Sequence, residues 1–265
     1  MLFQYWKSAV AIGLVSVMTS SGEKADALKN EFGIRELRTL DIDRCFQELG
    51  HTPEKILDVG HGYGAIANHY HLRGYDVTGI DVDPHLVDAA SQNYPDVKFI
   101  LYDGKTFPFE DSTFDTVILN DVLEHISYKD MEVVLSEIKR VLISSGIIYI
   151  SVMNRWQLIE PHSLIPMLTW LPRAAWHPVS RKLKKRDYIR YWPYTRGRLK
   201  SLLKKFDLEY SDLTHVYVYH KMRGINPVGD RITSRLMNVL NHLRLDSLAF
   251  YLALKVSVLL YVARK

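Results

Sequence analysis

The run LDVGHGYGA, residues 57–65, sets an acid, Asp58, two positions ahead of three glycines at alternate positions, Gly60, Gly62 and Gly64. Glycine has no Cβ and tolerates positive φ, so such a loop lets backbone N–H groups and the start of a following helix approach a ligand closely. Further along, Asp81 precedes Val82 in "GIDVDP", Asp103 precedes Gly104 in "YDG", and Asn120 opens "NDVLEH", which carries Glu124 and His125. Acids of this kind can hold hydroxyls or cationic groups, and a histidine can take a proton near neutrality. The glycines alone leave the ligand open. "GHGYGA" satisfies the dinucleotide spacing through Gly60, Gly62 and Ala65, with Asp81 at a suitable distance for ribose hydroxyls. Asp58 argues the other way, because a carboxylate at the mouth of the loop repels a pyrophosphate and suits a ligand bearing an ammonium and a sulfonium.

Those residues need a scaffold that brings separate segments to one edge. From about 54 to 154 short β-branched runs alternate with amphipathic stretches, the pattern of βαβ units and a parallel sheet. Strands are expected at 55–59, 75–81, 97–103, 114–120 and 146–154, and helices at 64–73, 84–93 and 129–143, with Asp83-Pro84 supplying an N-cap and a first-turn proline. Four successive strand ends then carry polar residues along one edge, where open α/β sheets bind ligands. After 154 the chain turns rich in proline, tryptophan and basic residues without a sustained period, and 155–195 reads as an irregular cap. A helix at 196–205, a strand at 206–219, an insert at 220–253 containing the helix-like "SRLMNVLNHLRL" and a last strand at 254–265 complete the expectation of one domain over 1–265.

Composition narrows the class. The 265 residues are 47% hydrophobic, enough for a substantial core, and the formal net charge of +4 is too small to argue by itself for nucleic acid or an anionic membrane. Cys45 is the single cysteine, which excludes an internal disulfide and a cysteine-rich metal site and fits a reducing, cytoplasmic setting. No metal site is read from the sequence. Near the start, Lys7 precedes the apolar stretch 9–18, which is too short to span a bilayer as a helix and reads as an N-terminal helix rather than a signal segment.

Through "LDVGHGYG", "GIDVDP", "YDG", "FDTVILNDVLEHI" and "SSGIIYISVMN", residues 40–154 resemble class I S-adenosylmethionine-dependent methyltransferases, of the group that includes small-molecule and ubiquinone-pathway enzymes. The resemblance implies a doubly wound, seven-stranded, mostly parallel Rossmann-like sheet whose last strand is antiparallel, with the cap inserted after the fifth strand and a helical insert before the last. It implies S-adenosyl-L-methionine as cosubstrate, with Asp58, Gly60, Gly62 and Gly64 around its methionine part. Asp81 would hold the ribose hydroxyls, Val82 would lie against the adenine, and Asp103 and Gly104 would face the adenine amino group. Asn120 would line the floor near the donated methyl.

Methyl transfer is an in-line displacement at an activated carbon, so the protein's main task is to align the acceptor. If the acceptor is a hydroxyl, His125 is the best-placed base, with packing of the following turn as its plain alternative. In the cap, "EPH" sets Glu160 and His162 where a lid would lie. The basic, aromatic stretch 181–205 admits a solvated face, an anionic or lipid-linked acceptor, or stacked RNA. The absence of a recognisable RNA-binding module favours a small or lipid-linked acceptor over nucleic acid. Four classes stay open: an O- or N-methyltransferase on a small-molecule or lipid- or glycan-linked acceptor, a nicotinamide-dependent oxidoreductase, a non-catalytic S-adenosylmethionine-binding module, and a protein in peripheral contact with a membrane.

Overall fold

The computed structural model describes residues 38–160, 163–184, 191–222 and 246–265. The apolar stretch 9–18, His162 and "SRLMNVLNHLRL" lie outside the described residues. Seven strands form one sheet: β1 (Lys55–Val59), β2 (Asp76–Asp81), β3 (Lys98–Leu101), β4 (Phe114–Asn120), β5 (Leu142–Val152), β6 (Glu209–Asp212) and β7 (Leu259–Arg264). Their order is 3-2-1-4-5-7-6, parallel from β3 through β5, with β7 antiparallel to both β5 and β6. The order reverses direction between β1 and β4, and that switch point is where the crossovers part and leave a crevice at the carboxyl ends of the strands.

Central strands covered on both faces read as unbroken apolar runs, and β4 (FDTVILN) and the second half of β5 (IIYISV) are buried almost throughout. Successive side chains still alternate between faces. Leu57, Val59, Val117 and Leu119 join the core on one side, which is covered by α4 (Met131–Val141) and α6 (Arg196–Lys205). Ile56, Ile118 and Tyr149 join the core on the other, with α1 (through 38–48), α2 (Ala65–His71) and α7 (Thr214–Met222). By the same alternation Asp58, Asn120 and Ser151 share the second face at the carboxyl edge. Between β2 and β3 runs α3 (Pro84–Asn93), whose Asp83 side chain accepts the His85 N–H at 2.9 Å, as the Asp-Pro signal implied.

Three expected strands are shorter than the sequence suggests, the third strand of 97–103 being only Lys98–Leu101, so that Asp103 lies in the turn beyond it. Only Glu209–Asp212 of 206–219 is strand, and Thr214–Met222 is α7 despite its β-branched and aromatic residues. Tertiary contacts decide this: Asp212 accepts from Thr214 N–H and Oγ1, starting a helix whose Leu213, Val216 and Tyr217 fall on one buried face at helical spacing. At the other end, 254–256 belongs to α8 (Asp246–Val256) and the strand begins only at Leu259. β5 starts at Leu142 rather than Gly146, because Leu142 pairs with Phe114 across an irregularity in register.

After β5 the chain leaves the sheet edge under tight control. Asn154 donates from Nδ2 to the carbonyls of Lys255 and Ser257, both at 2.9 Å, and accepts the Trp156 N–H at 3.1 Å. The returning segment of the cap lies alongside, with Tyr194 N–H donating to Met153 O and Arg155 N–H to Tyr194 O. Beyond this root the cap carries its own small core of Ile165, Leu168 and Trp176, with Val179 of α5 (Trp176–Lys184) packed against it.

Candidate functional site

The glycine loop leaves β1 and turns back on itself through positive φ at Gly60, Gly62 and Gly64 (69°, 58° and 83°). Two of these glycines are required by the protein's own packing: a Cβ on Gly60 would lie 2.7 Å from Val122, and one on Gly64 would lie 2.6 Å from the Phe99 ring of β3. The loop's N–H groups are largely spent internally. Gly60 N–H donates to Ile80 O at 2.7 Å, His61 N–H to the same carbonyl at 3.4 Å, Gly64 N–H to His61 O at 3.0 Å, and Gly62 N–H to Asp81 Oδ2 at 3.1 Å. Asp81 therefore braces the loop. It is buried, and its second oxygen accepts the Asp83 N–H at 3.0 Å. Each carboxylate oxygen retains a lone pair, so the brace can still receive a pair of hydroxyls.

Asp58 is buried beneath the loop, its backbone registered against Gly79 on one side and Ile118 on the other. Across the switch point Asn120 ends β4, also buried. Its Nδ2 lies 3.4 Å from Asp121 Oδ2, and its Oδ1 is buried with no hydrogen-bond donor. On the far side of β1, Val82 is exposed and Gly104 (φ 80°) lies within van der Waals range of it, since a Cβ there would sit 3.4 Å from Val82 Cγ1. Asp103 caps this turn, accepting the N–H groups of Lys105 at 2.8 Å and Thr106 at 2.7 Å. Those two N–H groups, Thr106 first, hold its carboxyl below the usual range.

A second constellation follows Asn120, and sequence reasoning found only part of it. Asp121 takes a left-handed conformation (φ 56°), accepts Ser151 Oγ at 2.7 Å and lies 3.2 Å from the Arg38 guanidinium. Arg38 is buried on α1, 5.3 Å over the Tyr217 ring. Burial works to discharge it, but the carboxylates of Asp121 and Asp41 more than offset that and raise its pKa. A helical stripe of Ile42, Cys45 and Phe46 was available in the sequence to place α1; nothing local could have paired Arg38 with Asp121.

Glu124 and His125, adjacent in sequence, differ sharply in burial. The turn Leu123–His125 leaves His125 exposed, its ring edge-on to Tyr191 with centroids 5.0 Å apart, while Glu124 is buried with one oxygen lacking a hydrogen-bond partner. Burial, and then the Asp121 charge, push the Glu124 carboxyl up to about 8, against the opposing pull of the Glu124 and Met153 N–H groups. The cap closes directly over it: Trp192 N–H donates to Glu124 O at 2.7 Å, and Tyr128 Oη donates to Pro193 O at 2.8 Å. Burial, followed by the Glu160 and Glu124 carboxyls, raises the Tyr191 phenol. Glu160 itself is fully buried and accepts the Ser163 N–H.

A seven-stranded sheet of this order, with a glycine loop braced by a second-strand acid and polar strand ends at the switch point, defines a Rossmann-like methyltransferase fold. Residues 57–150 match the methyltransferase domain family. Among curated proteins, the chain is 29% identical over 154 residues to a malonyl-[acyl-carrier protein] O-methyltransferase of Serratia marcescens, covering 58% of this chain and 56% of that protein. It is 31% identical over 137 residues to a ubiquinone biosynthesis O-methyltransferase of Rickettsia bellii, covering 49% and 55%. The chain thus spans about half the length of the curated relatives it matches. A solved S-adenosylmethionine-dependent methyltransferase from Archaeoglobus fulgidus superposes with a TM-score of 0.51 at 15% identity, covering 86% of this chain and 94% of that one, a likeness of fold.

Proposed function

We propose that this protein is an S-adenosylmethionine-dependent methyltransferase acting on an oxygen or nitrogen of a small-molecule or lipid- or glycan-linked acceptor. The observation that carries the reading is the pairing of a loop whose N–H groups are already spent with buried acceptors at the switch point. A pyrophosphate needs free N–H donors, and Gly60, His61, Gly62 and Gly64 have given theirs to the protein. Asn120 Oδ1, buried without a donor beside the Asp58 strand end, needs a donor such as an ammonium.

Bound there, S-adenosylmethionine supplies a methyl already activated on a sulfonium. Asp58 and Asn120 hold the ammonium end, Asp81 takes the ribose hydroxyls without giving up its hold on Gly62, and Val82 with the Asp103–Gly104 turn forms the adenine slot. Residues 155–195 serve as the cap that shapes the acceptor pocket and excludes water. Where the acceptor is a hydroxyl, His125 takes its proton and passes it to solvent, to which its ring is open. Glu124, carrying a proton at neutral pH, offers the acceptor a buried hydrogen bond without adding a charge.

The basic stretch supports a compact acceptor over RNA. Arg196 is paired with Asp212, Lys205 lies 2.6 Å from Glu132, and Arg198 stacks 3.3 Å over the Tyr128 ring, so these cations anchor α6 to the body. Tyr191 and Tyr194 are buried and offer no stacking face. No helix among the described residues is long and apolar enough to cross a membrane. Titration calorimetry with S-adenosylmethionine and with a nicotinamide dinucleotide tests the cosubstrate; saturation by the dinucleotide alone overturns the proposal. Incubation with methyl-labelled S-adenosylmethionine and cell extract then sorts acceptors by fraction: label confined to RNA refutes the acceptor class, and no label with any fraction leaves a binding module in place of an enzyme.

A further inference from the structure

The cap exposes large apolar residues that are not among the groups assigned to the cosubstrate. Trp156, Met167, Trp170 and Leu171 are 40–48% exposed. The rings of Trp156 and Trp170 meet edge to face at 5.8 Å, Trp170 Nε1 donates to Gln157 O, Met167 N–H to Leu158 O, and Thr169 Oγ1 to Arg155 O. The patch is held out by the backbone. Leu164 and Met167 both take left-handed conformations (φ 55° and 53°), which a residue with a Cβ adopts only when its surroundings impose it. The small core of Ile165, Leu168 and Trp176 lies beneath and gives the patch a firm base.

Its charge is one-sided. From 155 to 184 the sequence has five lysines and arginines and one acid, Glu160, which is fully buried. Arg155 lies over the rings of Trp156 and Trp176, Arg173 lies 3.6 Å over Trp192, and Arg181 and Lys182 are exposed on α5 beside Leu183, itself 61% exposed. Exposed tryptophans with leucine and methionine, in a segment whose cations outnumber its single, buried acid, match the interface of an anionic bilayer: the indoles sit at headgroup depth and the cations meet the phosphates. A protein partner of ordinary mixed charge would leave the cations uncompensated.

We infer that the outer face of the cap, centred on Trp156, Met167, Trp170 and Leu171, docks onto the surface of an anionic phospholipid membrane. The inference stands apart from methyl transfer, because docking needs no cosubstrate. It is tested by pelleting the full chain with phosphatidylcholine vesicles with and without phosphatidylglycerol. Binding to the anionic vesicles alone, weakened in high salt, with a blue shift of tryptophan emission, is the expected result. Trp156→Ala/Trp170→Ala should lower vesicle affinity about tenfold, and Arg181→Gln/Lys182→Gln about twentyfold, the second pair leaving the apolar patch and its packing intact should the first fail to fold. Three results overturn the inference: no binding to anionic vesicles, full binding by folded variants of both pairs, or self-association of the chain in solution that the tryptophan pair abolishes.

Discussion

The strand-edge half of the site and the cap that covers it are built in opposite ways. At the edge, Asp81 uses both carboxylate oxygens on backbone N–H groups, and glycines meet side chains too closely for any Cβ. The cap is fixed at its root by Asn154 and by the bridge to Tyr194, then runs out over a core of three buried side chains and exposes Trp156, Met167, Trp170 and Leu171. A ligand with fixed shape is met by groups whose positions the sheet dictates. On the proposed reading the acceptor is met by loop segments instead, which the sheet fixes only where they join it.

If this division holds, damage at the edge should cost far more than damage at the cap. The largest effect is expected from Asp81→Asn. An amide has one oxygen for the four bonds now asked of two, and S-adenosylmethionine affinity should fall about a hundredfold in calorimetry. A loss under about threefold would show that Asp81 is only a brace. Next, Gly64→Ala must place a methyl against the Phe99 ring at φ 83°, and the combined conformational and overpacking cost should lower unfolding stability by about 2–4 kcal/mol in denaturant titration. Gly197, where a Cβ meets nothing, is the matched control and should tolerate alanine.

Glu124 joins the two halves, and its effect is read against pH. Its carboxyl is raised in the folded protein, so the neutral form is favoured there; the stability it contributes is present below the ordinary carboxyl range and is lost as pH rises through about 8. Glu124→Gln fixes the neutral state. The wild-type melting temperature should therefore fall more steeply than the variant's between about pH 5 and about pH 8 and run parallel to it above that. Parallel curves would mean that Glu124 titrates as an ordinary carboxylate.

The same contrast explains what the sequence made legible. β1, β2 and β4 follow from apolar runs whose length and composition no helix would carry, and α3 from Asp83-Pro84. The positions of Asp58, Asp81 and Asn120 then follow, because a parallel strand delivers its last residue to a known edge. α7 did not follow: its residues favour a strand locally, and only the Asp212 cap and the apolar face beneath it impose a helix. Glu124 was visible as a residue but not as a buried acid, since its state depends on Asp121, Met153 and the returning Trp192, dispersed over about 70 positions. Arg38 depends on partners at 121 and 217 and could not be read at all.

The smallest expected effect separates turn chemistry from recognition at Asp103. Its Oδ1 holds the Lys105 and Thr106 N–H groups, an arrangement that would exist with no ligand in the fold's history. The amide introduced by Asp103→Asn would keep that oxygen, so the melting temperature should stay unchanged while the other oxygen, an acceptor for an adenine amino group, gives way to a donor. An exposed hydrogen bond of this kind is worth about 1 kcal/mol, so S-adenosylmethionine should bind about fivefold more weakly. Unchanged affinity would assign Asp103 to the turn alone and move the boundary of the cosubstrate site back to Val82. A fall as large as that of Asp81→Asn would instead mean that the edge recognises the base as firmly as the ribose, and the gradient of constraint argued between the two halves would have to begin beyond β3.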